Sequence, residues 1–263
     1  MSRGAVWFRA LTGAAQALPG DPKSVLTADT PMGRFLCVVP DSQGRFPCAR
    51  QGEVGLDEAY TLATRVREAM DLDRNGAVKR PLVAIVDVKS QAYGRREETA
   101  AIFLAAAASA DAYGSARLAG HPVIALIVGH AFSGGFLTHG YQANRILAFD
   151  DSGVMIHAMH KEAAARITRR SVKSLEELAR TIAPLSYDVR DFAKLGVLHK
   201  LLHVENPDQP GAEAIDKVAA ELAAAIADAR RGPVDLNRLE SAAARQTRQA
   251  SLRVRQLLAA QWA

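Results

Sequence analysis

The residues best placed for chemistry lie in a glycine-rich turn, Ser133-Gly134-Gly135, that follows a short apolar run over residues 124–128. The run predicts a buried strand, and the turn predicts the start of a short helix. Such a junction leaves backbone N–H groups without intrahelical partners, with the positive end of the helix dipole behind them. Because glycine has no side chain, a substrate oxygen can approach these amides closely. The turn therefore indicates an oxyanion site, although glycines also serve tight strand–helix packing.

The same turn is also compatible with a serine nucleophile. Small-x-Ser-x-small spacing at a strand-to-helix turn is typical of a nucleophile elbow, and Ser133 would then need an acid and a histidine later in the chain. The candidates for these two roles are Asp150, Asp188, Asp191, His199 and His203. However, position 131 is Ala rather than Gly and no HGGG-like segment precedes it, so the sequence favours the oxyanion site.

Metal and thiol chemistry are less well supported. The pairs His157-x-x-His160 and His199-x-x-x-His203 have spacings that place two ligands on one face. The second pair lies in a segment more typical of a strand, and both pairs are expected to be core or surface histidines. Cys37 lies in an apolar run and Cys48 follows a proline, so both are expected to be reduced structural thiols. We expect no metal.

The composition is that of a globular protein. The chain has 263 residues, of which 49% are hydrophobic and 23% charged, with two cysteines and a net charge of +5. These values exclude a disordered chain and a disulfide scaffold. No apolar run reaches the about 18 residues that a membrane span needs, and the N-terminus lacks a signal-peptide pattern. We therefore expect a cytoplasmic protein that does not bind membranes.

Charge is distributed evenly except near the C-terminus. Basic and acidic residues mostly alternate, which argues against binding to nucleic acid. At about 100° per residue, four arginines fall on one stripe of a predicted helix. They are Arg238, Arg245, Arg248 and Arg255. The stripe is either a solvated face or a docking face for an acidic or phosphate-bearing partner.

The surrounding elements alternate in type. Strand and turn patterns predict hairpins within the first 55 residues, and residues 57–71 predict a helix with Asp57 as its N-cap. Further strands are predicted over residues 81–88, 121–129, 145–150, 153–159 and 197–204, and further helices over 95–118, 161–170, 174–183, 187–196, 211–231 and 235–261. Strands alternating with helices predict right-handed crossovers on a parallel sheet. We expect a core over residues 1–206, with the hairpins of 1–55 included, and a C-terminal helical extension over 207–263.

The segment VIALIVGHAFSGGFL (123–137) resembles the strand, turn and helix of the crotonase superfamily. GHAFSGGFLTHGYQANRILAF (129–149) and the segment over 29–63 resemble the gamma subunit of biotin-independent malonate decarboxylase, a carboxyltransferase-like family. The likeness extends over roughly residues 80–200. It implies an α/β fold, a crotonase-like spiral of ββα units with a helical C-terminal extension.

The resemblance also implies site residues. The amides of Gly134, Gly135 and Phe136 would hold the enolate oxygen of a thioester, with Ser133 and His130 beside them. The residues implied to bind substrate are Gln91, Ala92, Tyr93, Gly94 and Phe132. Hydratases of the superfamily place a catalytic Glu just past the glycines, where this chain has Leu137. Decarboxylation needs no base, only oxyanion stabilisation and then one proton, for which His130, Tyr93 or a partner residue are the candidates.

The partners follow from the same resemblance. The chain would act with a homologous beta subunit and an acyl carrier protein that bears a dephospho-CoA-derived arm, converting malonyl thioester to acetyl thioester and CO2 without biotin or metal. The arginine stripe would contact the carrier or the partner subunit. Three alternatives stay open: a carboxyltransferase subunit of a biotin-dependent acyl-CoA carboxylase, a non-catalytic scaffold subunit, and a serine hydrolase that uses Ser133.

Overall fold

A computed structural model describes residues 1–234 and 241–262. Its strands are β1 (Val25–Thr30), β2 (Gly33–Val38), β3 (Leu82–Val88), β4 (Val123–Phe132), β5 (Arg145–Phe149), β6 (Met155–His157) and β7 (Lys200–Leu202). Its α-helices are α1 (Arg3–Thr12), α2 (Leu56–Leu72), α3 (Arg95–Thr99), α4 (Ile102–Leu118), α5 (Ser133–Thr138), α6 (Lys161–Thr168), α7 (Val172–Ala179), α8 (Val189–Lys194), α9 (Ala212–Arg231), α10 (Ala242–Thr247) and α11 (Gln249–Gln261).

The strands form one sheet in the order β1-β2-β3-β4-β5-β7, with β6 paired to the end of β4. β1 and β2 are antiparallel, which confirms the predicted hairpin. All the other pairs are parallel, as the alternation of strands and helices predicts. The two central strands, β3 and β4, are almost entirely buried, because helices cover both faces of a parallel sheet. The α/β fold class is confirmed.

The N-terminal residues form a helix, α1, where the sequence was expected to form only hairpins. Ser2 caps this helix by accepting a hydrogen bond from the Ala5 amide, and Gly13 ends it in the left-handed conformation. Trp7 and Phe8 are fully buried against the sheet, and the Trp7 indole donates to the Pro207 carbonyl at 2.8 Å. The predicted hairpin pattern is therefore correct only from β1 onward.

The helix predicted over residues 57–71 is confirmed as α2, but its cap differs from the prediction. Gly55, not Asp57, is the N-cap, and its amide donates to Oε2 of Glu58 at 3.0 Å. The Ser24 hydroxyl donates to the other carboxylate oxygen of Glu58 at 2.5 Å. Burial raises the pKa of Glu58, and these hydrogen bonds oppose the rise. The Glu58 carboxylate, which accepts a hydrogen bond from the Gly55 amide, therefore caps the helix start in place of the predicted Asp57.

The helix predicted over residues 95–118 is interrupted. α3 ends at Thr99, and α4 begins after Ala101, which lies in the left-handed region with φ of 60°. The break lets the short α3 follow the loop that leaves β3, while α4 packs along α2. The segment over residues 89–94 is thereby held between β3 and a helix start.

The C-terminal prediction is correct in part. α9 forms as predicted and packs Val218, Leu222 and Ala225 into the core. The single helix predicted over 235–261 is wrong, because α10 and α11 are separated at Arg248, and residues 235–240 lie outside the described part. The division into a core and an extension at residue 207 stays a prediction. Within residues 1–234 and 241–262, no helix has both the length and the apolar character to cross a membrane.

Candidate active site

The glycine turn and the loop over residues 89–94 meet at one edge of the sheet. β3 and β4 are parallel neighbours, and their pairing reaches Val88 and Ala131 at their carboxyl ends. The chain then continues from β4 directly into α5, and from β3 into the loop that leads to α3. Because the carboxyl ends of parallel strands share an edge, two regions about forty residues apart in sequence are brought into contact.

The Gln91 side chain lies directly on Gly134. The Gly134 amide donates to Oε1 of Gln91 at 2.7 Å. A Cβ atom at position 134 would lie 2.8 Å from Oε1 and 3.0 Å from the amide carbon of the same side chain. Glycine at this position therefore makes room for the carboxamide of Gln91. This carboxamide, and not substrate, occupies the space next to the Gly134 Cα atom.

Gly135 packs against the backbone of the same loop. A Cβ atom there would lie 2.4 Å from the Ser90 carbonyl oxygen and 3.1 Å from the Gln91 nitrogen. Real Cβ atoms do not approach an oxygen as closely as 2.4 Å, so only glycine permits the turn to lie this close to the loop. Tight packing, the alternative function considered for the glycines, thus explains both positions.

Ser133 contacts Tyr93 across the two segments. The Ser133 hydroxyl lies 2.8 Å from the Tyr93 hydroxyl, and either atom can donate. Ser133 has a φ of 56°, in the left-handed region that disfavours residues with a Cβ. Strain of this kind often marks functional turns. Tyr93 is 58% exposed, so its hydroxyl borders solvent beside the turn.

The hydrolase arrangement is not assembled around Ser133. Its hydroxyl partner is Tyr93 rather than a histidine, and the candidate acids have other partners. Asp150 accepts from Arg190, Asp188 caps α8, and Asp191 accepts from Lys194. His199 lies just before β7, at the far edge of the sheet, where its amide donates to the Ile146 carbonyl. The geometry therefore argues against this alternative.

The three amides implied as oxyanion donors differ in their availability. The Gly134 amide already donates to Gln91. Phe136 is the fourth residue of α5, whose first residue, Ser133, has a φ of 56° and so does not begin the helix with regular helical geometry. Gly135 is the third residue of α5, and the amides of the first three residues of an α-helix have no hydrogen-bond acceptor within the helix. On the loop, the Ala92 amide donates to the Val54 carbonyl at 2.9 Å, which braces this segment.

His130 and Phe132 lie at the end of β4, where this strand pairs with β6. The His130 amide donates to Asp87 at 3.1 Å, and its ring stacks on Phe132. Burial lowers the pKa of His130, while Asp87 opposes this shift. Phe132 itself is only 2% exposed and packs against His160 and Tyr187. The ring contacts of both predicted residues are therefore with each other and with His160 and Tyr187.

Histidines and cysteines elsewhere have structural environments. The His157 ring stacks on Tyr187 and bonds to the backbone of Met159, and His160 Nε2 bonds to the Lys89 carbonyl. In the described part of the chain, no group of three potential metal ligands is present. Both cysteines are unpaired, with Cys37 buried and Cys48 exposed.

The predicted arginine stripe is not one helical face. Arg248 lies at the junction between α10 and α11, and its side chain donates to the Leu195 carbonyl at 2.8 Å. Arg245 and Arg255 are exposed on separate helices, and Arg238 lies outside the described residues. The helical spacing of the arginines is continuous in the sequence, but the structure breaks the helix at Arg248, whose side chain bonds to another segment.

One buried histidine beside the site was missed from the sequence. His139, which ends α5, is fully buried between Tyr113 and the backbone of β3. The Tyr113 hydroxyl lies 3.0 Å from Nδ1, and the Ile85 carbonyl lies 3.0 Å from Nε2. This chain of hydrogen bonds ties α4, α5 and β3 together. A single histidine after a short helix gives no sequence signal for such a network.

Comparison with known proteins gives consistent results. The sequence profile of the family described as malonate decarboxylase gamma subunit matches residues 49–262. The malonyl-S-ACP:biotin-protein carboxyltransferase MADD of Malonomonas rubra is 36% identical over 194 residues, which cover 72% of this chain and 66% of that protein. The chain therefore spans slightly less than two thirds of that curated relative.

Solved structures show the same likeness. A chain of a Pseudomonas malonate decarboxylase hetero-tetramer in complex with coenzyme A is 52% identical, with a TM-score of 0.94 and full coverage of both chains. A chain of the Pseudomonas MdcD-MdcE hetero-dimer is 51% identical, with a TM-score of 0.92 and full coverage of both. Transcarboxylase 12S, at 18% identity and a TM-score of 0.65, covers 87% of this chain and 42% of its own, and shares the fold alone.

Proposed function

Because this chain belongs to the malonate decarboxylase gamma-subunit family, we propose that it supplies one part of a shared active site that removes CO2 from a malonyl thioester. A homologous beta subunit supplies the other part. The Pseudomonas relatives form a hetero-dimer and a hetero-tetramer, and their chains match this one from end to end. The coenzyme A bound to one of these relatives supports a thioester on a CoA-like arm.

The contact between the glycine turn and the loop over residues 89–94 is the observation that carries this proposal. It places a hydroxyl pair, Tyr93 and Ser133, next to a carboxamide, Gln91, at the carboxyl edge of a parallel sheet. Hydrogen-bond donors at this edge are suited to an oxygen that gains negative charge. Leu137 occupies the position where a hydratase of the superfamily has its glutamate, which favours a reaction that needs no base.

Decarboxylation of a malonyl thioester requires only hydrogen-bond donors and one proton from the residues around it. The bond between the carboxylate carbon and the methylene carbon breaks, CO2 leaves, and the electron pair moves onto the thioester to form an enolate. The chain then needs donors for the enolate oxygen and one proton for the methylene carbon. Among the candidate proton donors, Tyr93 is exposed beside the turn and is bonded to Ser133, so it is our choice over His130.

The substrate carrier is an acyl carrier protein whose dephospho-CoA-derived arm bears the malonyl group. The relative from Malonomonas rubra is named for action on malonyl-S-ACP, which supports this substrate. We assign the exposed Arg245 and Arg255 to contacts with the carrier or the partner subunit, together with Arg248 and with Arg238, which lies outside the described residues. The same relative also transfers carboxyl to a biotin protein, so a biotin-dependent carboxyltransferase is the second candidate function.

Reconstitution tests the proposal. We expect release of labelled CO2 from malonyl-loaded carrier only when this chain and the beta subunit are combined, and no loss of turnover when avidin removes biotinylated proteins. Turnover by the beta subunit alone would make this chain a scaffold, because its residues would then not be needed for the reaction. Turnover that requires a biotinylated acceptor would instead establish the carboxyltransferase.

A further inference from the structure

We propose that the side-chain amide of Gln91 is the hydrogen-bond donor that this chain presents to the thioester oxygen of the malonyl group, in place of the Gly134 backbone amide. This inference rests on the proposed function, since it assumes that the malonyl thioester binds at the turn. It assigns a catalytic contact to a side chain, where a glycine turn would suggest only backbone donors.

The orientation of the Gln91 amide follows from hydrogen-bond chemistry. A backbone N–H can only donate, so the group 2.7 Å from the Gly134 nitrogen is the carbonyl oxygen Oε1. The Nε2 group lies beside this oxygen on the same carboxamide, 3.4 Å from where a Cβ atom of residue 134 would be. Among the described residues it has no hydrogen-bond partner, and Gln91 is partly exposed. Two N–H bonds thus remain available to a ligand.

The backbone of Gln91 is fixed on both sides. The Val54 amide donates to the Ser90 carbonyl and the Ala92 amide donates to the Val54 carbonyl, each at 2.9 Å. The Ser90 hydroxyl donates to the Gln91 carbonyl at 2.6 Å. Gly135 packs closely on this peptide, and Gly134 leaves the space that the carboxamide fills. A donor held by so many contacts does not need to reorganise during the reaction, which is what transition-state stabilisation requires.

The neutral Gln91 amide is better suited to donate to the thioester oxygen of the malonyl group than to donate to the malonyl carboxylate. During decarboxylation, negative charge leaves the carboxylate and develops on the thioester oxygen. A donor on the carboxylate would stabilise the ground state, whereas a donor on the thioester oxygen gains strength as the enolate forms. The Gly134 amide also withdraws electron density from Oε1, which makes the Nε2 hydrogens better donors.

Two variants of the complete complex test this assignment. Gln91→Ala removes the donor, and Gln91→Glu keeps an acceptor for the Gly134 amide but replaces the donor with an oxygen. We expect both to lower kcat for CO2 release by about 100-fold with little change in KM, as for loss of one oxyanion donor. Gln209→Ala, at an exposed glutamine after β7, is the matched control and should turn over normally. Thermal melts of each variant complex report on folding.

The other outcomes overturn the assignment in distinct ways. Normal kcat in Gln91→Glu would mean that Gln91 only braces the turn. Higher kcat in Gln91→Ala would mean that the side chain blocks the Gly134 amide. A raised KM with unchanged kcat would mean that Nε2 binds the substrate and the transition state equally and is not the donor that stabilises the enolate oxygen. In each case a wild-type complex that releases CO2 still supports the proposed function, whereas an inactive wild-type complex would refute that function itself.

Discussion

We expect Gly135→Ala to reduce CO2 release by the complex by at least about 100-fold, the effect of losing one correctly placed donor. The added Cβ would lie 2.4 Å from the Ser90 carbonyl oxygen, so the loop backbone has to move. That movement carries Gln91 and Tyr93 away from the turn. Overpacking of this kind costs about 1–3 kcal/mol, so the melting temperature should also fall. Steady-state kinetics and thermal melts measure the two effects.

Gly114→Ala is a matched control for this substitution. Gly114 lies within α4, and a Cβ there meets no atom within 4 Å. Alanine favours a helix interior over glycine by about 1 kcal/mol, so this variant should keep full activity and melt no lower than the wild type. Wild-type activity and stability in Gly135→Ala would show that the turn is not pressed against the loop, and would contradict the site described above.

Stability should fall as the pH falls from about 6.5 to about 4, and His139 should account for a large part of that fall. Burial lowers the pKa of His139 to about 4. In the unfolded chain the same ring takes up its proton near the ordinary value of about 6.5. Between these two values the unfolded state binds more protons than the folded state, so acidification favours unfolding. Above pH 6.5 the neutral His139 makes its full contribution to the free energy of unfolding. By pH 4 that free energy has fallen by about 3 kcal/mol because of His139.

The variant His139→Gln should flatten this dependence, because glutamine does not titrate. Urea unfolding at several pH values gives the free energy of unfolding for each protein. Tyr113→Phe is the control, since it removes the hydroxyl that bonds to Nδ1 but leaves the histidine to titrate. Its stability should be lower at every pH while the slope is retained. Equal slopes for wild type and His139→Gln would contradict a neutral buried imidazole.

The sheet could be predicted because each of its central strands is marked by a short apolar segment of the sequence. Short apolar runs over residues 81–88 and 121–129 give the two central strands, and the glycines that follow the second run predict its turn into α5. The parallel arrangement then places the ends of both strands at one edge. That the two segments after these strands meet at one edge could therefore be inferred from the sequence.

The contacts within the site could not be inferred in this way. The bond between Gln91 and Gly134 depends on the register of β3 and β4, including an irregularity between Val86 and Val88. Sequence spacing does not fix that register. The spacing of the glycines is compatible both with substrate approach and with tight packing, and the structure shows the neighbouring loop packed against them. The break at Arg248 likewise depends on a tertiary hydrogen bond to Leu195, which helical periodicity does not contain.

We propose that the turn over residues 133–136 and the loop over 89–94 together contact the malonyl thioester. A crystal structure of this chain with its beta subunit and a non-hydrolysable malonyl-thioester analogue tests it most directly. We predict the analogue's thioester oxygen within about 3 Å of Gln91 Nε2, with the malonyl group beside Tyr93 and Ser133. An analogue held entirely by the beta subunit, with no atom touching either segment, would contradict the claim.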